Sequence, residues 1–131
     1  MHGFILQDWT TIRGGGSVTT ITQQETDWLD LSPYQDVVFW IDVKETTNNS
    51  TAGGSPTLYL QTSPTLDDVF FQSMATGVTM VAAAAPTVLA LLMASATTTV
   101  PVARYVRWQI VGTTTWDATF RIALAANSPG M

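Results

Sequence analysis

The sequence predicts an all-β fold from its residue types, its turn spacing and its lack of long helical periodicity. β-Branched and aromatic residues are plentiful, and threonine is the dominant polar residue, as is typical of pleated, half-buried strands. Glycine, proline, asparagine and aspartate interrupt the chain at short intervals, as in sandwiches and barrels. Helical periodicity is absent outside residues 80–95. We therefore expect a single domain over residues 1–131, an antiparallel two-sheet β-sandwich, jelly-roll-like, with eight to ten strands.

Apolar and polar residues alternate along most of the predicted strands, and residues two apart lie on the same face of a strand. The predicted strands are residues 4–12, 17–22, 28–31, 36–45, 57–62, 69–74, 100–111 and 116–125. The clearest is residues 36–45, where the apolar side chains at the odd positions share one face. Inward positions are also expected for Phe120, Ile122 and Leu124 in the last strand.

Residues 78–96 are the most apolar stretch of the chain (VTMVAAAAPTVLALLMASA). Pro86 lies in its middle, threonine and serine interrupt it, and no basic flank or aromatic belt follows. These features disfavour a membrane span. The stretch predicts either two buried strands joined at Ala85 and Pro86, or one strand and a short helix. No membrane contact is therefore expected.

Charged residues are unusually sparse, at 11% of the chain against about 25% in an average soluble domain. Five basic and ten acidic residues give a net charge of −5. Nucleic-acid binding requires clustered lysine and arginine, and here the basic residues are scattered, so no nucleic acid is expected as a partner. A chain this poor in charge is expected to cover much of its surface with neighbouring subunits.

The residue types give little support to catalysis or metal binding. The chain has no cysteine, which excludes thiolate zinc sites and cysteine nucleophiles. Its only histidine, His2, lies in the N-terminal tail and is poorly placed for a catalytic triad. Asp67 and Asp68 are adjacent in a predicted turn, where calcium binding and an ordinary solvated turn are the two interpretations and the turn is favoured. We expect neither an enzyme nor a cofactor.

Four segments carry a resemblance to known proteins. Residues 57–63 read TLYLQTS, residues 67–70 read DDVF and residues 104–107 read RYVR. This succession resembles small jelly-roll or β-sandwich structural proteins of tailed-phage virions, including decoration proteins. The RYVR strand followed by residues 119–124 (TFRIAL) is also similar to the closing strand pair of galactose-binding-like, discoidin-type jelly rolls. The first resemblance implies subunit contacts in a virion, and the second implies sugar binding.

We therefore expect a structural protein of a phage virion, specifically a capsid decoration or cement protein. Its partners would be the major capsid protein or other virion proteins, and it would form a homo-oligomer such as a trimer. The alternative is a carbohydrate- or receptor-binding module of a tail or fibre, with exposed tryptophan rings as the sugar platform. Arg104 and Arg107 lie on opposite faces of one strand, so one is expected outward and the other paired with a carboxylate. The candidate contact residues are Trp9, Trp28, Val88, Leu91, Leu92, Met93, Arg104, Arg107 and Trp116.

Overall fold

The strands of the chain form two stacked antiparallel sheets. The structure is a computed structural model that describes residues 2–14, 20–48, 56–82, 84–92, 98–112 and 116–128. The strands within these ranges are β1 (His2–Gly14), β2 (Thr20–Thr22), β3 (Leu29–Asp30), β4 (Asp36–Asn48), β5 (Thr57–Ser63), β6 (Gln72–Ser73), β7 (Val78–Thr79), β8 (Thr87–Leu91), β9 (Tyr105–Val111) and β10 (Trp116–Asn127). Short 3₁₀ turns lie at Glu25–Asp27 and Asp68–Phe70. Across these described ranges, no helix is long and apolar enough to cross a bilayer.

The strand order defines a jelly roll. One sheet has the order β1-β10-β4-β8, and β9 and β5 are the central strands of the other. The short strands β2 and β3 lie along the same side of β9, and β6 and β7 lie along the outer side of β5. Counting each of these pairs as one broken strand gives eight strands, in which the first pairs with the last, the second with the seventh, and so on. This is one long antiparallel ribbon wrapped around a sandwich, and the predicted fold class is confirmed.

The core lies between the sheets, and β4 and β10 contribute to it at strictly alternating positions. In β10 every second residue from Trp116 to Ala126 is buried, and in β4 the odd positions 37 to 43 are buried. The other sheet contributes Trp108, whose ring meets that of Phe120 edge to face with centroids 5.3 Å apart, a favourable geometry for aromatic pairs. The predicted inward faces of these strands are confirmed.

The apolar stretch of residues 78–96 divides between the two sheets. β7 pairs with β5 and β8 pairs with β4, so the expectation of two strands here is met, but the expectation that both are buried is wrong. Among the described residues of the stretch only Met80 and Leu91 are buried. The others are exposed or half-buried, because a short strand at the sheet edge offers only one side to the core.

Two predicted strands are shorter than expected. Residues 69–74 were expected as one strand, but Val69 and Phe70 lie in the 3₁₀ turn and only Gln72–Ser73 pairs with β5. The strand expected over residues 100–111 begins at Tyr105. Before it, Pro101 has no backbone N–H to offer a neighbouring strand, and the Ala103 N–H is donated to the Thr62 hydroxyl instead, at 2.9 Å.

Trp116 is part of the core, which corrects its prediction as a contact residue. Its side chain is 1% exposed and is held between Gly14 and Gly112. A Cβ atom on Gly112 would lie 2.3 Å from Cδ1 and Nε1 of Trp116, and one on Gly14 would lie 2.6 Å from Cε2. Both glycines are therefore required by the close approach of the indole ring, and the clamp joins the ends of β1, β9 and β10.

We expect Gly112→Ala to lower the free energy of unfolding by about 1–3 kcal/mol, because the added methyl group overpacks a buried, rigid ring. The measurement is equilibrium denaturation followed by tryptophan fluorescence. The matched control is Gly3→Ala, since a Cβ atom there meets no atom within 4 Å. Equal stabilities of the two variants would show that the clamp is absent.

Candidate interaction surface

The predicted contact residues divide into exposed and buried positions. Exposed or half-buried side chains are found at Trp9, Trp28, Val88, Leu92 and Arg104. Buried side chains are found at Leu91, Arg107 and Trp116. The three buried residues pack inside the protomer and are removed from the predicted surface. Met93 lies outside the described residues, and contact of the exposed residues with a partner stays a prediction.

The outer face of the four-stranded sheet carries two uncharged rows that run straight across all four strands. The first row is Ile5, Ala123, Trp40 and Val88, each directly opposite the next in the strand register. The second row is Gly3, Ala125, Val38 and Ala90. Side chains at directly opposed positions lie on the same face of a sheet. We call these eight residues the apolar face.

The apolar face is open to solvent in the protomer. Val88 is 55% exposed, Ile5 51% and Trp40 36%. A shallow apolar depression of about 330 Å³ lies beside Ile5. The inner positions of the same strands already fill the core, so the packing of the protomer does not require apolar residues outside. Contiguous exposed apolar patches of this kind mark interaction sites on soluble proteins.

The other half of the same sheet face is polar and internally paired. Arg121 Nη2 lies 3.8 Å from Asp42 Oδ2, and its guanidinium carbon lies 4.9 Å from the centroid of the Trp9 ring. Lys44 Nζ lies 5.9 Å from the same ring, within the range of a cation–π contact. The Trp9 ring is thus engaged by cations of its own chain. This weakens the case for Trp9 as a sugar platform.

A second apolar surface lies on the loop between β5 and β6. Leu66, Val69 and Phe70 are exposed there, and Val69 is 78% exposed. We call these three residues the loop tip. They surround the acidic pair Asp67 and Asp68, so the loop tip combines apolar side chains with negative charge.

Arg107 anchors this loop from inside the protein. Its side chain is 4% exposed, and its guanidinium donates to the Asp68 carboxylate, which is 82% exposed. Arg107 Nε also donates to Gln61 Oε1 at 2.9 Å. The guanidinium carbon lies 3.9 Å from the centroid of the Phe71 ring and 5.0 Å from that of Trp28. Arg107 and Trp28 therefore support the loop from below.

The hydrogen bonds of Asp67 and Asp68 favour the turn over the calcium site. Asp67 Oδ2 accepts from the Thr65 hydroxyl at 3.1 Å, and Asp68 is the ion-pair partner of Arg107. A calcium ion at Asp68 would lie beside a guanidinium, and like charges repel. Across the described residues, no group of three or more histidine, aspartate or glutamate side chains is placed to hold a metal ion.

Arg104 lies just before β9 and forms a surface ion pair. Its Nη2 lies 3.3 Å from Asp30 Oδ2, and both side chains are largely exposed. The backbone N–H of Ser32 holds the pKa of Asp30 below its ordinary value, and Arg104 lowers it further. This depressed pKa stabilises the fold above the ordinary pKa of the carboxyl group, and the effect is lost as the pH falls through the folded-state pKa. Exposure makes the contribution small.

Comparison with known proteins gives a likeness of fold. No protein-family model matches the sequence, and no curated protein is similar to it in sequence. The structure is similar to a chain in the solved structure of infectious bursal disease virus, Gx strain, with a TM-score of 0.53 and 14% identity over 98% of this chain and 33% of that chain. A chain of the Gt strain gives 13% identity over 94% and 32% of the two chains, with a TM-score of 0.38, too low to show a shared fold.

The chain thus spans about a third of the length of the viral chain that it matches. At 14% identity the likeness shows a shared β-sandwich and leaves function open, since one fold serves many functions.

We expect Arg107→Leu to lower the free energy of unfolding by about 1–3 kcal/mol, because it removes hydrogen bonds made by a buried charged group. The same variant should increase amide hydrogen exchange in residues 64–71, because the loop loses its anchor. The control is Arg104→Leu, whose exposed pair contributes little and lies away from the loop. Identical exchange of residues 64–71 in both variants would contradict the anchoring role of Arg107.

Proposed function

We propose that the chain is a structural protein of a virus particle and that it binds neighbouring subunits through the apolar face. The observation that carries the proposal is the pair of uncharged rows across the outer sheet, exposed in the protomer. Burial of apolar surface drives most protein association, and a partner that covers these rows removes that surface from water. The loop tip, with Val69 and Phe70, offers a second contact.

The fold is compatible with this proposal, and the outer sheet face favours it over catalysis. Jelly rolls occur in viral capsid proteins, in lectins and in cupins, and this chain shares its fold with a chain of infectious bursal disease virus. The three differ in what their surfaces carry, because a lectin or a cupin enzyme needs a concave site with a few precisely placed polar groups. The outer sheet face of this chain carries two uncharged rows with exposed apolar side chains, which fit a subunit contact.

Within this class, a capsid decoration protein of a phage is the specific role we propose. The sparse charge of the chain and its exposed apolar face suit a small protein that is largely covered after assembly. Its action would be passive, without a cofactor, because binding to the assembled state stabilises that state by mass action. We propose contacts with the major capsid protein and between copies of this chain, and a standard interface of this kind buries about 800 Å² per partner. The trimer expected from the sequence stays a prediction.

The test is incorporation into particles. Particles of the virus that encodes the chain are purified by density gradient and analysed by quantitative mass spectrometry, and the chain is expected in a fixed number of copies per particle. Its absence from purified particles, with abundant chain in the infected-cell lysate, would overturn the proposal.

A variant locates the contact. Ile5→Glu places a carboxylate in the first row of the apolar face, and burying it against a partner should reduce binding to particles about tenfold or more. The matched control is Thr11→Glu, which adds the same charge to the same strand and the same sheet face, in the polar half opposite Thr119. Equal binding of both variants would show that the apolar face is not the contact.

A further inference from the structure

Within the described residues, β8 forms an edge of the four-stranded sheet and carries no charge, proline or bulge of its own. β8 pairs with β4 on one side, and no other described strand lies on its other side. Its five residues (TVLAL) include no charge and no proline. An edge strand presents unpaired backbone N–H and C=O groups, and natural proteins protect such edges with charges, prolines, bulges or very short strands.

The other edges of this fold are protected in these ways. β1, the opposite edge of the same sheet, carries Asp8 and Arg13 and has two register irregularities, and the Gln23 side chain donates to its Leu6 carbonyl at 2.7 Å. The edge strands of the second sheet are only two or three residues long. β8 is thus exceptional among the described edges.

The sequence on either side of β8 is also uncharged. The sequence contains no aspartate, glutamate, lysine, arginine or histidine between Asp68 and Arg104. Although the chain has a net charge of −5, two β8 edges can therefore meet without bringing like charges together or burying an ion. The sequence around β8 therefore offers no charged residue that could attract a charged partner.

We propose that β8 pairs antiparallel with β8 of a second copy of this chain about a two-fold axis, which joins the two four-stranded sheets into one of eight strands. A strand that pairs antiparallel with its own copy makes a self-complementary contact, the commonest kind in homodimers. A register centred on Leu89 pairs all five residues, with Thr87 opposite Leu91 and Val88 opposite Ala90 of the second copy.

This register also continues the apolar face from one copy into the other. The first row of one copy, which ends at Val88, meets the second row of the other copy, which ends at Ala90. The second row of the first copy likewise meets the first row of the other copy. Each joined row crosses eight strands without a charged residue. The dimer would present one apolar band twice as long as that of the protomer, which deepens the proposed function by naming a second copy as one partner of the chain.

The contact is small. A five-residue strand pair buries less than the roughly 800 Å² per partner of a standard interface, so we expect a weak dimer that forms with rising concentration. Sedimentation equilibrium of the purified chain should show a dimer at concentrations up to about 1 mM. A monomer throughout this range would overturn the pairing.

Spin-label distances separate edge pairing from face-to-face stacking. The chain has no cysteine, so Val88→Cys and Ile5→Cys each give one labelling site. Strands in a sheet lie about 4.8 Å apart, so edge pairing places the two β8 backbones about 5 Å apart and the two β1 backbones, seven spacings apart, at about 34 Å. Two similar distances, as expected for stacked sheets, would contradict the proposal.

A charge pair at the edge tests the register. In the double variant Val88→Lys with Ala90→Lys, each introduced lysine faces another lysine across the axis, which is unfavourable. In Val88→Lys with Ala90→Glu, each lysine faces a glutamate. Both variants change the same two exposed positions, and we expect the second to dimerise about tenfold or more tightly than the first. Equal dimerisation would overturn this register.

These measurements use the purified chain alone. If β8 does not pair, the chain can still be incorporated into particles. If the chain is absent from particles, the dimer can still be measured. Each proposal can therefore be contradicted without contradicting the other.

Discussion

The structure depends on the strict two-residue period of its central strands β4 and β10. In β10 every second side chain from Trp116 to Ala126 is buried, and these side chains meet the other sheet at contacts such as Trp108 against Phe120. A strand has only two faces, so once one face fills the core, the core does not require apolar side chains on the other face. The valine, tryptophan and alanine residues outside are therefore informative about what the protein contacts.

Several charged residues of the chain form ion pairs that lie away from the apolar rows. Two ion pairs occupy the polar half of the outer face of the four-stranded sheet, away from the apolar rows. They are Arg121 with Asp42 and Arg13 with Asp117. Arg107 instead lies beneath a loop, where it orders an exposed apolar tip through Asp68. The ion pairs thus leave one uncharged area on the sheet and one exposed apolar loop held by Arg107, two features that suit the proposed subunit contact.

The sequence predicts what depends on local periodicity and misses what depends on register. The inward faces of β4 and β10 follow from alternation alone. The burial of Trp116 does not, because it is set by Gly14 and Gly112, which are brought to the ring by the fold. The apolar face is likewise invisible along the chain, since Ile5, Ala123, Trp40 and Val88 become neighbours only through four-strand pairing. Similarly, only the structure shows that Arg107 is buried and Arg104 is exposed.

The central claim is that the outer apolar rows are covered when the protein is in its working assembly. Hydroxyl-radical footprinting read by mass spectrometry measures this directly, by comparing the oxidation of Trp40 in the free chain and in purified particles, with the half-buried Tyr59 of the other sheet as an internal reference. We expect strong protection of Trp40 in particles and little change at the reference. Equal oxidation of Trp40 in both states would contradict the claim.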